Sequence, residues 1–235
     1  MPEPHLTVIV AAFNEQETIE ACVRRVFAVF PNDCELLVVD GGSDKTSDVV
    51  FELTREFSLL RYIRNDNDRG KGHAIRTGIK AAQSNLMAQI DADLQFLPED
   101  LPQLIEPIEA DRADVTLGSR FLSDSVRRKG STPWFRTLGN RTASGYASVL
   151  FWHRMTDVQA GMKAWTRRAA QAIDLKSDNY SYEVEIPVKA LRAGMRVIDV
   201  PITTDARQGG VTNVNVVFDG IPLLRDITLF RLGWK

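Results

Sequence analysis

Apolar runs and helix-like patterns alternate along the first half of the chain. Runs rich in Val, Ile and Leu predict buried strands at residues 6–12, 35–40, 59–64 and 86–91. Between these runs, apolar residues recur every three or four positions, which is the spacing of one helix face. Four strand–helix units within about 110 residues predict a mostly parallel, doubly wound α/β sheet with helices on both faces.

The second half of the chain is less regular. It predicts a strand at 115–118, helices at 134–152, 167–173 and 182–193, a strand at 197–203, a loop at 208–215 and an amphipathic helix at 216–232. Pro187 is expected to kink or begin its helix, and Pro222 to interrupt the last one. In the first half, Asn14 is predicted to cap the first helix, with Glu17 completing a capping box. Two further helices are predicted near 45–57 and 70–84.

Composition narrows the class of protein without identifying a function. The 44% apolar and 26% charged residues are typical of a soluble globular protein, and the net charge of -2 argues against nucleic acid as a partner. Cys22 and Cys34 form no CxxC pair, which argues against structural zinc and favours a reducing compartment. No signal peptide and no bilayer-spanning run is evident, so we expect a cytoplasmic protein that at most lies on a membrane.

An acidic cluster follows the fourth predicted strand, in the sequence Asp91-Ala92-Asp93-Leu94-Gln95. In extended backbone, alternate side chains point to one side, so two carboxylates and an amide oxygen are expected to converge. Such oxygen ligands suit Mg²⁺ or Mn²⁺. Ligands of doubly wound sheets bind beyond the carboxyl ends of the strands, where this cluster lies.

Two other segments at predicted strand or helix ends are candidates for ligand contact. Asp40 ends the second strand before a glycine turn, where a carboxylate can accept hydrogen bonds from a nucleobase or ribose. Arg69-Gly70-Lys71-Gly72 precedes a helix and can meet phosphate through backbone N–H groups and the lysine, although it is not a P-loop.

The motifs, taken in order, resemble family 2 glycosyltransferases of the Rossmann-like GT-A fold. They are Val10-Ala11-Ala12-Phe13-Asn14-Glu15, Val39-Asp40-Gly41-Gly42-Ser43-Asp44, Asp91-Ala92-Asp93-Leu94-Gln95 and Gly118-Ser119-Arg120-Phe121. Within that family the chain resembles the dolichol-phosphate mannose synthase group, which transfers a hexose to a polyprenyl phosphate. The resemblance covers roughly residues 6–215 and implies one catalytic domain over 1–235. Its expected parts are a donor half at about 5–120, an acceptor half at about 121–215 and a terminal helix at about 216–235.

The resemblance also implies roles for individual residues. The metal would be held by Asp91, Asp93 and Gln95, and the catalytic residues would be Asp91, Asp93 and Arg120. The donor set comprises Ala11, Phe13, Glu15, Asp40, Lys71, Asp91, Ala92, Asp93, Gln95 and Arg207, the last in a loop at 205–215. The acceptor phosphate would meet Arg120, Arg136 and Asn140.

The motifs leave two candidate donors, GDP-mannose and UDP-glucose, of which GDP-mannose is favoured. Phe13 stands where the family often has tyrosine, so one polar contact with the donor is missing. Gly41 stands where the family often has a second aspartate. The segment Gly70-Lys71-Gly72 also resembles dolichol-phosphate glucose synthases.

The chemistry of the acceptor favours a phosphate over a hydroxyl group. A phosphate monoester is largely dianionic at neutral pH and needs positioning by arginines, whereas a hydroxyl needs a general base. Direct displacement by the phosphate would invert the anomeric centre. Transfer to a soluble or polysaccharide hydroxyl is the alternative, with Asp157, Glu183 or Glu185 as the base, and a non-catalytic nucleotide-binding module is a third hypothesis. Aromatic and basic residues mixed over 127–152 predict peripheral contact with a membrane.

Overall fold

A seven-stranded sheet forms the centre of the computed structural model, which describes residues 4–208 and 216–234, without the side chains of 216–219. The strands of this sheet are β1 (Leu6–Ala12), β2 (Cys34–Asp40), β3 (Leu60–Arg64), β4 (Leu86–Asp91), β5 (Val115–Ser119), β7 (Lys163–Thr166) and β8 (Val197–Pro201). Short strands β6 (Val126–Arg127) and β9 (Thr203–Thr204) pair separately. The helices are α1 (Ile19–Val29), α2 (Thr46–Leu53), α3 (Lys71–Ala81), α4 (Leu101–Glu109), α5 (Trp134–Phe151), α6 (Arg167–Ile173), α7 (Tyr182–Arg192) and α8 (Val216–Leu232).

The strand order is β3-β2-β1-β4-β7-β5-β8, which confirms the predicted mostly parallel, doubly wound sheet. The strands β3, β2, β1 and β4 run parallel, and β5 and β8 run parallel to each other. The carboxyl ends of β1, β2 and β4 therefore meet at one edge, where Ala12, Asp40 and Asp91 end their strands.

Strand β7 is the strand of the central sheet that the apolar pattern missed. It is antiparallel and lies between β4 and β5, so β4 and β5 are not neighbours. Its sequence Lys163-Ala164-Trp165-Thr166 is short and begins with a lysine, so it carries no run of apolar residues. The lysine is nevertheless fully buried.

Several predicted helix ends are wrong for identifiable reasons. Asn14 does not cap α1, which begins at Ile19; it takes a left-handed conformation (φ 58°), which asparagine tolerates. Its Oδ1 accepts hydrogen bonds from the backbone N–H groups of Ser43 (2.8 Å) and Asp44 (3.2 Å). Asn14 therefore joins the loops that follow β1 and β2. The helices predicted at 45–57 and 70–84 are shorter at both ends.

Pro187 and Pro222 lie inside continuous helices. The predicted interruption of the last helix near Pro222 is therefore wrong. Leu223, Ile227 and Phe230 of α8 are buried, and α8 packs against α5 and α7. Packing of this apolar face holds the helix together beyond the proline.

Apolar side chains fill both faces of the sheet. Alternate residues of β1 divide between the two layers, with Val8 and Val10 in one and Ile9 in the other. Cys22 and Cys34 are buried free thiols, as predicted, and burial raises the pKa of each to about 12. Within the described ranges, no helix combines the length and apolar character needed to cross a bilayer.

Asp114 provides a test of how ion pairs hold the edge of the sheet. Its carboxylate accepts from Arg196 Nε (3.1 Å) and backbone N (2.9 Å) and lies 2.5 Å from Arg168 NH2. Hydrogen bonds from Arg196 lower the pKa of Asp114 from 3.8 to about 2 despite its burial. The folded pKa lies below the unfolded one, so this stabilisation is present above pH 3.8 and is lost as pH falls through about 2.

We therefore expect Asp114→Asn to lower the free energy of unfolding by about 1–2 kcal/mol at pH 7. Urea denaturation at pH 7, 3 and 2 should show this difference shrinking towards pH 2. The control is Glu106→Gln, because Glu106 pairs with Arg112 on the surface and should change stability little at any pH. An Asp114→Asn effect of equal size at pH 7 and pH 2 would contradict the assignment.

Candidate active site

The acidic cluster after β4 is a turn and not extended backbone. Leu94 takes a left-handed conformation (φ 57°), and the backbone N–H of Gln95 donates to Asp93 Oδ1 at 3.0 Å. The predicted alternation along an extended strand is therefore wrong, because Asp93 binds its own backbone two residues on. Asp91 and Gln95 still face one cavity, whereas the side chain of Asp93 is only 3% exposed.

The carboxylate of Asp91 ends a row of charges that alternate in sign, in which Lys163 and Glu183 are buried and Lys71 and Asp91 are 20% and 19% exposed. Lys71 Nζ lies 2.5 Å from Asp91 Oδ1 and 3.1 Å from Glu183 Oε1. Lys163 Nζ contacts the other oxygen of Glu183 and the carbonyl of Ala160. The row Lys163, Glu183, Lys71 and Asp91 joins β7, α7, α3 and β4, and we call it the buried charge row.

Burial and ion pairing act in opposite directions on the pKa values of this row. Burial raises the pKa of Asp91, although Lys71 acts against the shift. Burial disfavours the charged form of Lys71, but Asp91 and the groups around Glu183 outweigh it and hold its pKa well above the usual value. Burial lowers the pKa of Lys163, and the two lysines outweigh burial to lower the pKa of Glu183. The charged form of each side chain is thus stabilised by its neighbours in the row.

Sequence reasoning missed three groups around this row. These groups are the Lys163 ammonium, the Tyr182 hydroxyl and the Gln89 amide. The Tyr182 hydroxyl donates to Glu183 Oε1, and Gln89 Nε2 donates to the carbonyl of Gly161 at 3.2 Å. A signal was present in Met162-Lys163-Ala164-Trp165, because a lysine among apolar residues needs a buried partner.

Gly161 makes room for the Asp91 carboxylate. A Cβ atom at residue 161 would lie 2.4 Å from Asp91 Oδ2, which is closer than any van der Waals contact permits. Only glycine therefore allows Asp91 its observed position.

Arg207, which the resemblance assigned to the donor set, lies against the acidic turn. Its NH2 lies 2.8 Å from Asp93 Oδ2, and the backbone N–H of Gln208 donates to the carbonyl of Asp93 at 3.1 Å. The remainder of the predicted loop, 209–215, lies outside the described residues. Asp91 and Asp93 thus each contact one cationic side chain, Lys71 and Arg207 respectively.

The donor set of this turn suits a hard divalent cation. Asp91, Asp93 and Gln95 offer only oxygen ligands, and because Gln95 Nε2 donates to the carbonyl of Ser131, its amide oxygen is left for another partner. Among residues 4–208 and 216–234, no three His, Cys, Asp or Glu side chains form a group able to hold a metal. A cation would therefore also need the Gln95 amide and oxygens of a substrate.

The residues predicted to contact the nucleoside lie at the ends of β1 and β2, outside the walls of the cavity. Ala11 is half-buried and Phe13 is exposed. Burial raises the pKa of Glu15, whose Oε2 accepts from Thr18 Oγ1 at 2.8 Å.

Asp40 is the member of this group that differs most from expectation, because its side chain is only 1% exposed. Its Oδ1 accepts from the backbone N–H of Gly42 at 2.8 Å, and its Oδ2 accepts from Tyr62 Oη at 3.0 Å. Arg64 NH1 lies 3.4 Å from the same Oδ2. Sequence reasoning missed Tyr62 and Arg64, which cover this carboxylate.

A cavity of about 190 Å³ brings predicted donor and acceptor residues together. Its walls include Lys71, Asp91, Gln95, Arg120, Arg136, Asn140 and Arg207. Residues from both halves of the sequence therefore face one cavity, although the most distant of them are more than a hundred positions apart in the chain. Asn179, Tyr180 and Ser181, from the loop before α7, complete one wall and were not predicted.

Arg120 is held by Asp157 in a buried two-point ion pair. Arg120 Nε and NH2 donate to the two oxygens of Asp157 at 2.6 and 2.7 Å, and Arg120 backbone N donates at 3.1 Å. Glu185 accepts from backbone N–H groups of Lys176 and Ser177 and pairs with Lys189. Together with Glu183 in the buried charge row, all three carboxylates considered as alternative bases act as counter-ions.

Comparison with known proteins gives a consistent family. The family model described as Glycosyl transferase family 2 matches residues 7–171. Glycosyltransferase AglD of Haloferax volcanii is 29% identical over 98% of this chain, which spans only 37% of that protein. Polyprenol monophosphomannose synthase of Mycolicibacterium smegmatis is 28% identical over 91% of this chain and 82% of that protein.

A solved structure supports the fold independently. Glucosyl-3-phosphoglycerate synthase from Mycobacterium tuberculosis, in complex with Mn²⁺, UDP-glucose and phosphoglyceric acid, superposes with a TM-score of 0.75. It is 18% identical, and the match covers 99% of this chain and 81% of that one. At this identity the likeness establishes the GT-A fold alone.

The buried charge row should be essential for stability. We expect Glu183→Gln to lower the free energy of unfolding by about 3–5 kcal/mol, because Lys163 would remain buried without a counter-ion. Urea denaturation measures the change. The matched control, Glu52→Gln, removes an exposed pair with Arg55 and should cost at most about 0.5 kcal/mol. The double variant Lys163→Met/Glu183→Met should be more stable than Glu183→Gln. Equal losses of unfolding free energy in Glu183→Gln, Glu52→Gln and the double variant would refute the pairing.

Proposed function

The chain belongs to glycosyl transferase family 2, and we propose that it transfers a hexose from a nucleotide sugar to a polyprenyl phosphate. The observation that carries this proposal is the shared cavity, in which the acidic turn and Lys71 face Arg120, Arg136 and Asn140. A negatively charged donor and a negatively charged acceptor would both find cationic groups there. The name of the mycobacterial relative supports the same acceptor class.

The state of the carboxylates supports a phosphate acceptor over a hydroxyl acceptor. A hydroxyl needs a base, but Asp157 is paired with Arg120 and Glu183 with two lysines. A phosphate monoester is already ionised at neutral pH and needs only orientation. In this proposal Arg120, Arg136 and Asn140 hold the phosphate so that one of its oxygens attacks the sugar directly, which inverts the anomeric centre.

The donor side would be formed by the strand ends and the acidic turn. We assign Ala11, Phe13, Glu15 and Asp40 to the nucleoside and Lys71, Ala92 and Arg207 to the diphosphate side. GDP-mannose is the proposed donor, in keeping with the mycobacterial relative's name. UDP-glucose is the competing candidate, because Gly70-Lys71-Gly72 also resembles dolichol-phosphate glucose synthases.

Asp91, Asp93 and Gln95 would hold the Mg²⁺ or Mn²⁺ ion. When bound, the ion neutralises charge on the leaving nucleoside diphosphate. The solved neighbour contains Mn²⁺ with UDP-glucose, which supports this cofactor class. Lys71 and Arg207, already beside the two carboxylates, would orient the diphosphate by their own charge.

We also propose contact with the cytoplasmic face of a membrane, and the exposed side chains in and beside helix α5 support the membrane contact. Trp134 is 78% and Trp152 is 90% exposed, and Leu138 and Val149 are also exposed. Exposed Arg127, Arg128 and Lys129 precede the helix. Aromatic and basic residues together suit the interface between water and lipid. Helix α8 is less suited to this role, because the apolar residues on one of its faces are buried in the protein.

A change at Gly161 tests the acidic centre without removing a charged group. We expect Gly161→Ala to displace Asp91 and to lower kcat/KM for hexose transfer by about 100-fold or more, since small displacements of catalytic groups have such effects. Calorimetry should also show loss of metal-dependent binding of the nucleotide sugar. Gly145→Ala is the matched control, because a Cβ there meets nothing within 4 Å. Wild-type activity in Gly161→Ala would contradict the assignment of Asp91.

Transfer of radiolabelled hexose tests the acceptor. With polyprenyl phosphate, the labelled product should partition into organic solvent, and Arg136→Ala should raise KM for the lipid about tenfold while the donor Kd stays constant. Arg112→Ala, an exposed and remote arginine, should behave as wild type. Labelled product in the aqueous phase alone would favour a hydroxyl acceptor. Absence of turnover with every nucleotide sugar and either metal would favour a non-catalytic binding module.

A further inference from the structure

The aromatic ring of Phe121 lies among three guanidinium groups. The ring centroid is 5.6 Å from Cζ of Arg120, 5.6 Å from Cζ of Arg127 and 5.1 Å from Cζ of Arg141. All three distances fall within the range of cation–π attraction, in which the negative face of the ring stabilises a cation. The arginines come from the end of β5, from β6 and from α5, so the ring joins three separate segments.

Carboxylates balance only part of the charge around this ring. Asp157 neutralises Arg120, and Arg127 NH2 donates to the hydroxyl of Thr137 at 3.0 Å. Within the described part of the chain, neither Arg127 nor Arg141 forms an ion pair with an acidic side chain. The group therefore keeps an excess of positive charge, and the negative face of the ring offsets part of the repulsion between the guanidinium groups.

The same ring contacts segments that contribute residues to the cavity. Arg120 lines the cavity, and so do Arg136 and Asn140 of α5. Arg141 follows Asn140 directly on that helix, and Arg127 is bonded to Thr137, which follows Arg136. Contacts between Phe121 and these arginines therefore link the segment after β5 to the part of α5 that lines the cavity.

We propose that Phe121 is a positioning residue for the acceptor, holding Arg120 and the Arg136–Asn140 segment of α5 at the spacing that binds a phosphate monoester dianion. This rests on the proposed function, since it concerns the same acceptor. Phe121 does not touch the reacting atoms; it acts through the arginines. The excess charge around the ring also lowers the free energy of an approaching dianion.

Steady-state kinetics with polyprenyl phosphate in detergent micelles tests this role. Phe121→Leu keeps an apolar side chain but removes the ring, and we expect KM for the lipid phosphate to rise about tenfold, with little change in kcat or in donor Kd. Phe121→Trp keeps an aromatic face of stronger cation–π attraction and should restore KM to near the wild-type value.

Phe57→Leu is the matched control for loss of an aromatic ring that carries a cation–π contact; it also removes the stacking of Phe57 on Phe27, whose ring centroids lie 4.5 Å apart. Arg24 lies 5.8 Å from the centroid of Phe57, far from the cavity in the fold, so this variant should keep the wild-type KM. An unchanged KM in Phe121→Leu, or an equal rise in Phe57→Leu, would overturn the inference. So would a Phe121→Trp variant as impaired as Phe121→Leu. Failure of the wild-type protein to use any lipid phosphate would instead overturn the proposed function.

Discussion

The requirement that buried charges be paired governs the centre of this protein. Lys163, Glu183, Lys71 and Asp91 alternate in sign from the interior of the sheet to the cavity. Removing any of them from water is costly unless a neighbour of opposite sign and hydrogen bonds compensate. Because the four residues belong to β7, α7, α3 and β4, the pairing also fixes how these elements stand relative to one another. The position of Asp91, and the space that Gly161 leaves for it, follow from this constraint.

The same constraint shapes the opposite wall of the cavity. Asp157 holds Arg120 through two contacts, so that the arginine has a fixed direction. Carboxylates near the cavity thus serve as partners of lysine and arginine, and the cationic groups Lys71, Arg120, Arg136 and Arg207 line the space beside them. A site of this kind suits substrates that bring their own negative charge, as a nucleotide sugar and a phosphorylated lipid both do. The family assignment and the geometry therefore point to the same chemistry.

Much of the fold was predictable because its signals are local. The bounds of β1 and β4 agree with the apolar runs, and Asp40 and Asp91 lie at strand ends as expected. Errors arose where a residue serves a distant partner. Asn14 resembles a helix cap in sequence but binds the loop after β2, and Lys163 interrupts the apolar pattern of β7 because its partner is Glu183. The turn at Leu94 was likewise invisible to a rule that assumes extended backbone.

The sequence by itself determined the class of the fold, the strand ends that carry the acidic cluster and, through its ordered motifs, the family. These depend on spacings of a few residues, which any local pattern records. Only the tertiary structure decided which charges are paired and which face the cavity. Lys71 and Glu183 meet across 112 positions of sequence, and Arg120 and Asp157 across 37. Such contacts follow from how strands and helices pack, and packing depends on the whole chain at once.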